Sequence, residues 1–238
     1  MTTSPIRNED AGPQRAWMSW SSGKDSTFAL AAARADPALD VVGLLVTMNA
    51  AADRVAMHAV RRTLLEAQAE RLDLPLHVVD IPAPCPNTVY ADRMAAAMRS
   101  AADAGVSRVV FGDLYLEDVR AYREDALATT PITPVFPLWQ RPTDALAREM
   151  VDAGVRAVIT CVDPRQLPAR FAGRAFDAAL LADLPAGVDP CGENGEFHTF
   201  VWDGPGFAAP IGIETGEVVE RDGFVFCDVR PTAPASCR

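Results

Sequence analysis

Short apolar runs alternate with longer segments of helical periodicity along the first half of the chain. Residues 16–20 and 41–47 are almost wholly apolar, as strands are when helices cover both faces of a parallel sheet. Residues 76–81 and 108–111 are predicted as the third and fourth strands. This alternation predicts an α/β fold, in which right-handed crossovers place helices on both faces of a parallel sheet.

Helical periodicity fills the segments between these strands. One helix is predicted over residues 27–34 and a second over residues 53–72. The third strand follows the second helix. The longer of the two keeps one apolar face, formed by Met57, Val60, Leu64 and Ala67. A third helix has its apolar face at Tyr90, Met94, Ala97 and Ala101, and Gly105 ends it.

The pattern changes in the second half of the chain. Helices are predicted over residues 116–128 and 143–153, separated by a segment with four prolines. A strand is predicted over Arg156–Val162 and a β-hairpin over residues 217–228, with its turn at Asp222 and Gly223.

We interpret the chain as two domains. Residues 15–130 form the larger α/β domain and residues 131–230 a smaller C-terminal α+β domain that we expect to bind the substrate. The polar residues 1–14 and the last residues, 231–238, are predicted to be disordered tails. Residues 1–14 have no apolar stretch after a basic start, so they do not resemble a secretory signal.

Composition and charge narrow the function classes. The 238 residues are 49% hydrophobic and 23% charged, and their formal net charge is −10. Nucleic-acid-binding proteins usually carry a basic face, so we expect no nucleic-acid partner. No apolar run is long enough to cross a membrane, so we expect no membrane partner. Small-molecule or protein substrates are favoured, and a homo-oligomer is compatible with the sequence.

The cysteines argue against metal or disulfide chemistry. They number five, and none forms a C-x-x-C pair. That spacing disfavours a disulfide framework and a zinc or iron–sulfur site, so we predict no metal site built from protein side chains alone. Reduced cysteines indicate a cytoplasmic protein, and we interpret them as small buried apolar residues.

The first candidate site is the sequence SSGKDS, formed by Ser21, Ser22, Gly23, Lys24, Asp25 and Ser26 between a strand and a helix. Glycine lets a backbone approach phosphate, and a helix N-terminus supplies N–H groups and positive potential. Lys24 is the sole lysine in a chain that otherwise uses arginine. We expect Lys24 on the surface of a cleft, so that its loss leaves no cavity. The alternative is an ordinary strand–helix turn with a serine N-cap.

Two further segments carry candidate chemistry. Gly112 and Asp113 follow the fourth strand and should face the same cleft as SSGKDS, because ligands of parallel sheets lie beyond the carboxyl ends of strands. The alternative for Asp113 is a helix N-cap. The helix that follows carries polar residues that line the substrate side or form a solvated face: Glu117, Asp118, Arg120, Tyr122, Arg123 and Glu124.

An acidic cluster lies far along the chain. Asp189, Glu193, Glu196 and His198 fall within ten residues, in a loop that contains two glycines. Such acids bind ammonium, hold Mg²⁺ together with ATP phosphates, or accept a proton from an attacking amine. The alternative is a solvated acidic turn.

These motifs resemble those of a known family. SSGKDS resembles the SGGxDS loop of the PP-loop ATP pyrophosphatases, with Ser22 in place of the second glycine. The segments FGDLYLED (111–118), PLW (137–139) and DPCGENGEFHT (189–199) are similar to those of the diphthine–ammonia ligase family. The resemblance extends from Trp17 to about Asp228 and implies a sheet of the PP-loop/HUP type.

The resemblance also implies an activity. ATP, with Mg²⁺, would adenylate a carboxylate and release pyrophosphate, and ammonia would then displace AMP to form an amide. It implies ATP contacts from the SSGKDS loop and from Gly112 and Asp113. Catalysis would fall to Lys24, Asp25, Glu193 and Glu196.

The substrate and two alternatives remain open. The family substrate, diphthine, belongs to eukaryotic and archaeal elongation factor two, whereas the alanine and arginine bias here resembles that of a high-GC bacterium. We therefore expect a different carboxylate, on a small molecule or a protein side chain. One alternative is a PP-loop tRNA-modifying enzyme, disfavoured by the acidic charge. The other is a non-catalytic ATP-sensing module, which would not need Glu193 and Glu196.

Overall fold

A computed structural model describes residues 12–51, 53–55, 60–82 and 84–232 of the chain. The predicted tails lie largely outside these residues, as does Met57. The first sheet contains six strands: β1 (Gln14–Ser19), β2 (Leu39–Asn49), β3 (Arg54–Val55), β4 (Leu76–Ile81), β5 (Arg108–Val110) and β6 (Thr133–Val135). Five of them are parallel, in the order β4-β2-β1-β5-β6, and β3 pairs antiparallel with the end of β2.

Four helices follow these strands: α1 (Lys24–Ala35), α2 (Arg62–Leu72), α3 (Asn87–Asp103) and α4 (Glu117–Leu127). Successive side chains of a strand point to opposite faces of the sheet. Leu44 of β2 accordingly packs in one apolar cluster with α1 and α2, and Leu45 in another with Met98 of α3. The predicted parallel sheet with helices on both faces is confirmed.

The helix predicted over residues 53–72 was wrong in its first part. Asp53 has a left-handed backbone (φ 50°), and Arg54 and Val55 turn back to pair with the end of β2. The helix begins only at Arg62. Strand pairing satisfies the backbone groups of Arg54 and Val55, so tertiary contact prevails over the helical pattern here.

The second half of the chain forms an antiparallel sheet with two helices: α5 (Thr143–Asp152), β7 (Arg156–Val162), a 3₁₀ turn (Ala169–Phe171), β8 (Ala175–Phe176), α6 (Ala178–Asp183), β9 (Phe197–Asp203), β10 (Ile213–Arg221) and β11 (Phe224–Pro231). The predicted hairpin is β10–β11, longer than expected. Asp222 and Gly223 have φ values of 53° and 79°, as its tight turn requires.

The two sheets share one hydrophobic core. Leu44 of β2 and Leu64 of α2 belong to the same buried cluster as Ile159 of β7 and Phe200 of β9. The first sheet continues to β6, a few residues past the predicted boundary at 130. Within the described ranges, no helix is long and apolar enough to cross a membrane.

Candidate functional site

A cleft of about 380 Å³ opens beyond the carboxyl ends of β1, β2 and β5. Both halves of the chain line it. Its walls are formed by Ser19, Trp20, Ser21, Lys24, Asp25, Ser26, Leu45, Thr47, Val55, Tyr90, Met94, Phe111, Gly112, Asp113, Arg123, Gly192, Glu193, Phe197, His198 and Thr199. Three segments that are distant in sequence, SSGKDS, 112–113 and 192–199, therefore meet at one site.

The SSGKDS segment is half loop and half helix. The helix begins at Lys24, not at Thr27 as predicted, with Gly23 as its N-cap. The Ser21 hydroxyl donates to Ser26 Oγ at 3.1 Å, and Ser26 Oγ donates to the Gly23 carbonyl at 3.0 Å. An α-helix leaves its first N–H groups without intrahelical partners, so this first turn is suited to an anion.

Ser22 has a backbone conformation that favours glycine. Its φ is 69°, in the left-handed region, and its side chain is fully buried. A serine in this conformation costs roughly 1–2 kcal/mol relative to a right-handed one. Its Oγ has no hydrogen-bond partner. Ser22 therefore belongs to the frame of the loop and does not line the cleft.

Lys24 is buried, which contradicts the expected surface position. The residue is 2% exposed, and its ammonium donates to Asp25 Oδ2 at 2.9 Å and to the Cys191 carbonyl. The rings of Phe176 and Phe197 lie 5.7 and 5.2 Å from Nζ. Burial alone would lower the pKa of Lys24, but Asp25, Cys191 and Glu193 together outweigh it and hold the pKa above the ordinary lysine value. Lys24 thus joins the loop to the C-terminal half as well as lining the cleft.

Two carboxylates in the cleft have an oxygen that accepts no hydrogen bond, although one of them, Asp113, forms an ion pair with Arg123. Asp25 Oδ1 and Asp113 Oδ2 are both buried and accept no hydrogen bond. Arg123 Nε lies 3.6 Å from Asp113 Oδ2, beyond hydrogen-bonding distance. Burial raises the pKa of Asp113, and Arg123 only partly opposes this. Buried oxygens that accept no hydrogen bond are costly, so these two atoms are candidates for binding a cation.

Gly112 fits closely beneath the loop. A Cβ at this position would lie 3.0 Å from the backbone of Asp25 and of Ser26. The glycine therefore lets β5 approach the first turn of α1.

Glu193 carries the most perturbed carboxylate of the cleft. Its Oε1 accepts a hydrogen bond from the backbone N–H of Leu114 at 2.7 Å. Burial raises the pKa of Glu193 to about 7, against the opposing effect of that bond. A carboxylate with this pKa exchanges protons near neutral pH.

Glu196 does not line the cleft. It is 2% exposed, and its Oε1 accepts from the Asp189 N–H at 3.0 Å and from Asn194 Nδ2 at 3.1 Å. Asp189 in turn accepts from Thr143 Oγ1 at 2.7 Å and from the Cys191 N–H at 2.7 Å. These two acids hold the 189–196 turn in shape, and Glu196 Oε2 has no partner.

The polar helix α4 contributes one cleft residue, Arg123. Arg120 instead lies over the neighbouring rings of Phe136 and Trp139, with its guanidinium carbon 4.9 and 4.7 Å from the ring centres. Tyr122 is 51% exposed. Most of the predicted substrate side is therefore a packing or solvent face.

Several cleft residues were not predicted from the sequence. Tyr90 and Met94 were assigned only to the apolar face of their helix, and Phe111 to a strand end. Gln68, which contacts the loop from behind, lies in an amphipathic helix and has no local motif. The sequence pattern offered no signal for Gln68, because its partners lie at Trp20, Ser22 and Val201.

The comparisons with known proteins cover both halves of the chain. Residues 14–127 match the diphthamide synthase N-terminal domain, and residues 142–231 match the diphthamide synthase C-terminal domain.

Three similar relatives are named diphthine–ammonia ligase. The protein from Rattus norvegicus is 30% identical over 129 residues, which are 52% of this chain and 48% of the relative. The protein from Homo sapiens is 33% identical over 120 residues, 48% and 45% of the two chains. The protein from Danio rerio is 31% identical over 129 residues, 52% and 51% of the two chains.

The chain spans about half the length of the curated relatives it matches. The two domain matches follow each other in the expected order and leave only short segments uncovered. The shared cleft, the SSGKDS loop and these matches lead to one conclusion: the chain belongs to the diphthamide synthase family.

Proposed function

We propose that this protein is an ATP-dependent amide-forming ligase, which adenylates a carboxylate, releases pyrophosphate and transfers ammonia to the activated acid. The observation that carries the proposal is the meeting of the SSGKDS loop, Asp113 and Glu193 at one cleft. The names of the curated relatives support the same chemistry.

The loop would bind the phosphates of ATP. Its helix N-terminus, the hydroxyls of Ser21 and Ser26, and the ammonium of Lys24 all border the cleft. These groups would stabilise the negative charge that develops on departing pyrophosphate. The loop lacks the G-x-x-x-x-G-K-S/T spacing of γ-phosphate loops. We therefore propose cleavage between the α and β phosphates.

Asp25 and Asp113 would hold Mg²⁺ together with ATP phosphates. Mg²⁺ is usually bound through one or two carboxylates plus substrate phosphates, and each of these residues has a buried oxygen that accepts no hydrogen bond. The ion would neutralise phosphate charge.

The reaction has two steps, which both act on one carboxyl group. In the first, a carboxylate oxygen of the substrate forms a bond to the α phosphorus of ATP, and the bond from that phosphorus to pyrophosphate breaks. In the second, neutral ammonia forms a bond to the carboxyl carbon, the bond to AMP breaks, and the nitrogen loses a proton. Holding both steps in one cleft avoids release of the activated acid to water.

Glu193 would accept the proton from the attacking ammonia. Its raised pKa, about 7, matches the working range of a general base at neutral pH. Because Glu193 lines the same cleft as Lys24 and Asp25, the proton acceptor lies beside the proposed phosphate site. Glu196 would act indirectly, by holding the turn that presents Glu193.

A thiol-dependent alternative receives less support. Cys191 is 1% exposed, and burial raises the pKa of its thiol far above the ordinary cysteine value. A thiol in that state is a poor nucleophile. This observation favours the ligase over a thiolating tRNA-modifying enzyme.

The deciding experiment incubates the protein with α-labelled ATP, Mg²⁺, ammonium and a pool of carboxylic acids. We expect AMP and pyrophosphate, with an amide formed from one member of the pool. Glu193→Gln should retain pyrophosphate release and lose amide formation. ADP and phosphate as the main products would refute the proposal.

A further inference from the structure

A buried amide holds the SSGKDS loop from behind. Gln68 lies in the middle of α2, fully buried and outside the cleft lining. Its Oε1 accepts a hydrogen bond from Trp20 Nε1 at 2.9 Å. Its Nε2 donates to the Ser22 carbonyl at 3.0 Å and to the Val201 carbonyl at 2.6 Å. The Gln68 side chain therefore forms hydrogen bonds to Trp20 just after β1, to Ser22 in the loop and to Val201 of β9.

Packing alone does not explain an amide at this position. A buried amide must find hydrogen bonds for its oxygen and its nitrogen, whereas an apolar side chain of similar size carries no such requirement. What the amide adds is geometry, because its planar group fixes the positions of three partners at once.

Among the partners of Gln68, Ser22 is the one whose backbone conformation most needs a restraint. Its left-handed φ of 69° is disfavoured for any residue with a Cβ. The Ser22 carbonyl is held in place by two donors, Gln68 Nε2 and the Val201 N–H at 3.0 Å. Without the Gln68 bond, one of the two contacts that oppose relaxation of this peptide would be lost.

A relaxed Ser22 would displace the start of α1. Gly23, the N-cap, follows Ser22 directly, and Lys24 N–H bonds to Thr199 Oγ1 at 3.1 Å. The orientation of the helix N-terminus in the cleft therefore depends on the peptide that Gln68 holds.

We propose that Gln68 is a positioning residue for ATP, which keeps Ser22 in the left-handed conformation that presents the first turn of α1 to the phosphates. The inference rests on the proposed binding of ATP at this loop. Because Gln68 acts by holding Ser22, the effects that substitutions at the two positions have on ATP binding should be coupled.

The test measures the Kd of Mg²⁺-ATP by calorimetry and the Tm for four variants. We expect Gln68→Met to raise the Kd about tenfold or more. Leu72→Ala, one turn along the same helix and 1% exposed, should lower the Tm without changing the Kd. Ser22→Gly alone should change the Kd less than about twofold, since glycine adopts this conformation freely.

The double variant Ser22→Gly/Gln68→Met decides the mechanism. Glycine adopts the left-handed conformation without the penalty that a Cβ imposes, so we expect it to recover at least about threefold of the lost affinity. An unchanged Kd in Gln68→Met, an equal rise in Leu72→Ala, or no recovery in the double variant would overturn the inference. Should Gln68→Met not fold, Gln68→Asn, which keeps the amide but is one methylene shorter, carries the same expectations.

A second measurement separates this inference from the proposed function. Hydrogen exchange of the Val201 amide, which donates to Ser22, should be faster in Gln68→Met than in the wild type and in Leu72→Ala. If the wild type does not bind ATP, the proposed function fails, and this exchange still decides whether Gln68 holds the loop. Unchanged exchange would overturn the positioning role.

Discussion

At the scale of single residues, the cleft is built by side chains that serve both the fold and the proposed chemistry. Lys24 is the plainest case, because a residue predicted as a surface phosphate ligand is among the largest fully buried side chains. Its ammonium satisfies the Cys191 carbonyl and Asp25. Substitutions at this position must therefore be judged against stability as well as ATP use.

Lys24→Ala should destabilise the protein by roughly 2–4 kcal/mol, because it leaves a cavity and removes the partner of a buried carbonyl. Lys24→Met fills most of the volume but removes the charge and the hydrogen bonds to Asp25 and to the Cys191 carbonyl. We expect Lys24→Met to fold better than Lys24→Ala in a urea titration, yet to weaken ATP binding by about tenfold or more. Equal stability of both variants and the wild type would contradict the buried position.

Glu193 should impose a pH dependence on amide formation. Its carboxyl is protonated below a pKa of about 7 and cannot then accept a proton. With the concentration of neutral ammonia held constant, we expect the rate of amide formation to rise with pH through this region, and Glu193→Gln to abolish that rise along with most of the activity. Pyrophosphate release should keep its own pH profile in the variant.

The raised pKa of Glu193 also predicts the direction in which the stability of the protein changes with pH. The folded pKa of this carboxyl lies above the ordinary glutamate value, so the folded state is penalised as pH rises from about 4.5 to about 7. Glu193→Gln should therefore be more stable relative to the wild type at pH 8 than at pH 4. The opposite order would mean that Glu193 is stabilised as an anion.

At the scale of elements, close backbone approach decides where the loop lies. The sequence pattern located α1, α3, α4 and α5. It did not locate β3 or β9, whose pairing partners are remote in sequence: β3 with the end of β2, and β9 with β7. Short strands carry too little periodicity to be distinguished from loops.

Gly112→Ala should displace the first turn of α1. Its Cβ would lie 3.0 Å from backbone atoms of Asp25 and Ser26, which cannot move as a side chain would. We expect a loss of about 1–3 kcal/mol and weaker ATP binding. Gly204→Ala is the matched control, since its nearest neighbours are 3.6 Å away, and it should change the free energy of unfolding by less than about 0.5 kcal/mol.

At the scale of the whole molecule, the two halves are joined around the cleft. The shared apolar core, the Lys24–Cys191 contact and the Gln68–Val201 bond all cross between them. A polar network adds to these contacts at one side: Asp228 of β11 accepts from Arg54 and from Arg61, at 3.1 and 2.7 Å.

Asp228 should contribute to stability only as an anion. Although burial opposes its charge, hydrogen bonds from Arg61 and its neighbours hold the pKa of Asp228 well below the ordinary aspartate value. This contribution is present above about pH 4 and is lost as pH falls below it. We expect Asp228→Asn to cost roughly 1–2 kcal/mol at pH 7 and progressively less toward pH 3. Asp222→Asn, at an exposed turn, should show neither effect in the same melting series.

The sequence by itself determined the α/β class, the parallel sheet and most helices. It also identified SSGKDS, Asp113 and Glu193 as candidate site residues. These features depend on local periodicity, on glycine and proline, and on short motifs, all of which are contiguous in the chain. Only the tertiary structure decided that Lys24 is buried, that Glu196 braces a turn, and that Gln68 supports Ser22. The burial of Lys24 and the role of Gln68 arise from contacts between distant residues, since Lys24 and Cys191 lie 167 positions apart and Gln68 and Val201 lie 133 apart. Burial and hydrogen-bond partnership at such distances follow from how the two sheets pack, which no local pattern encodes.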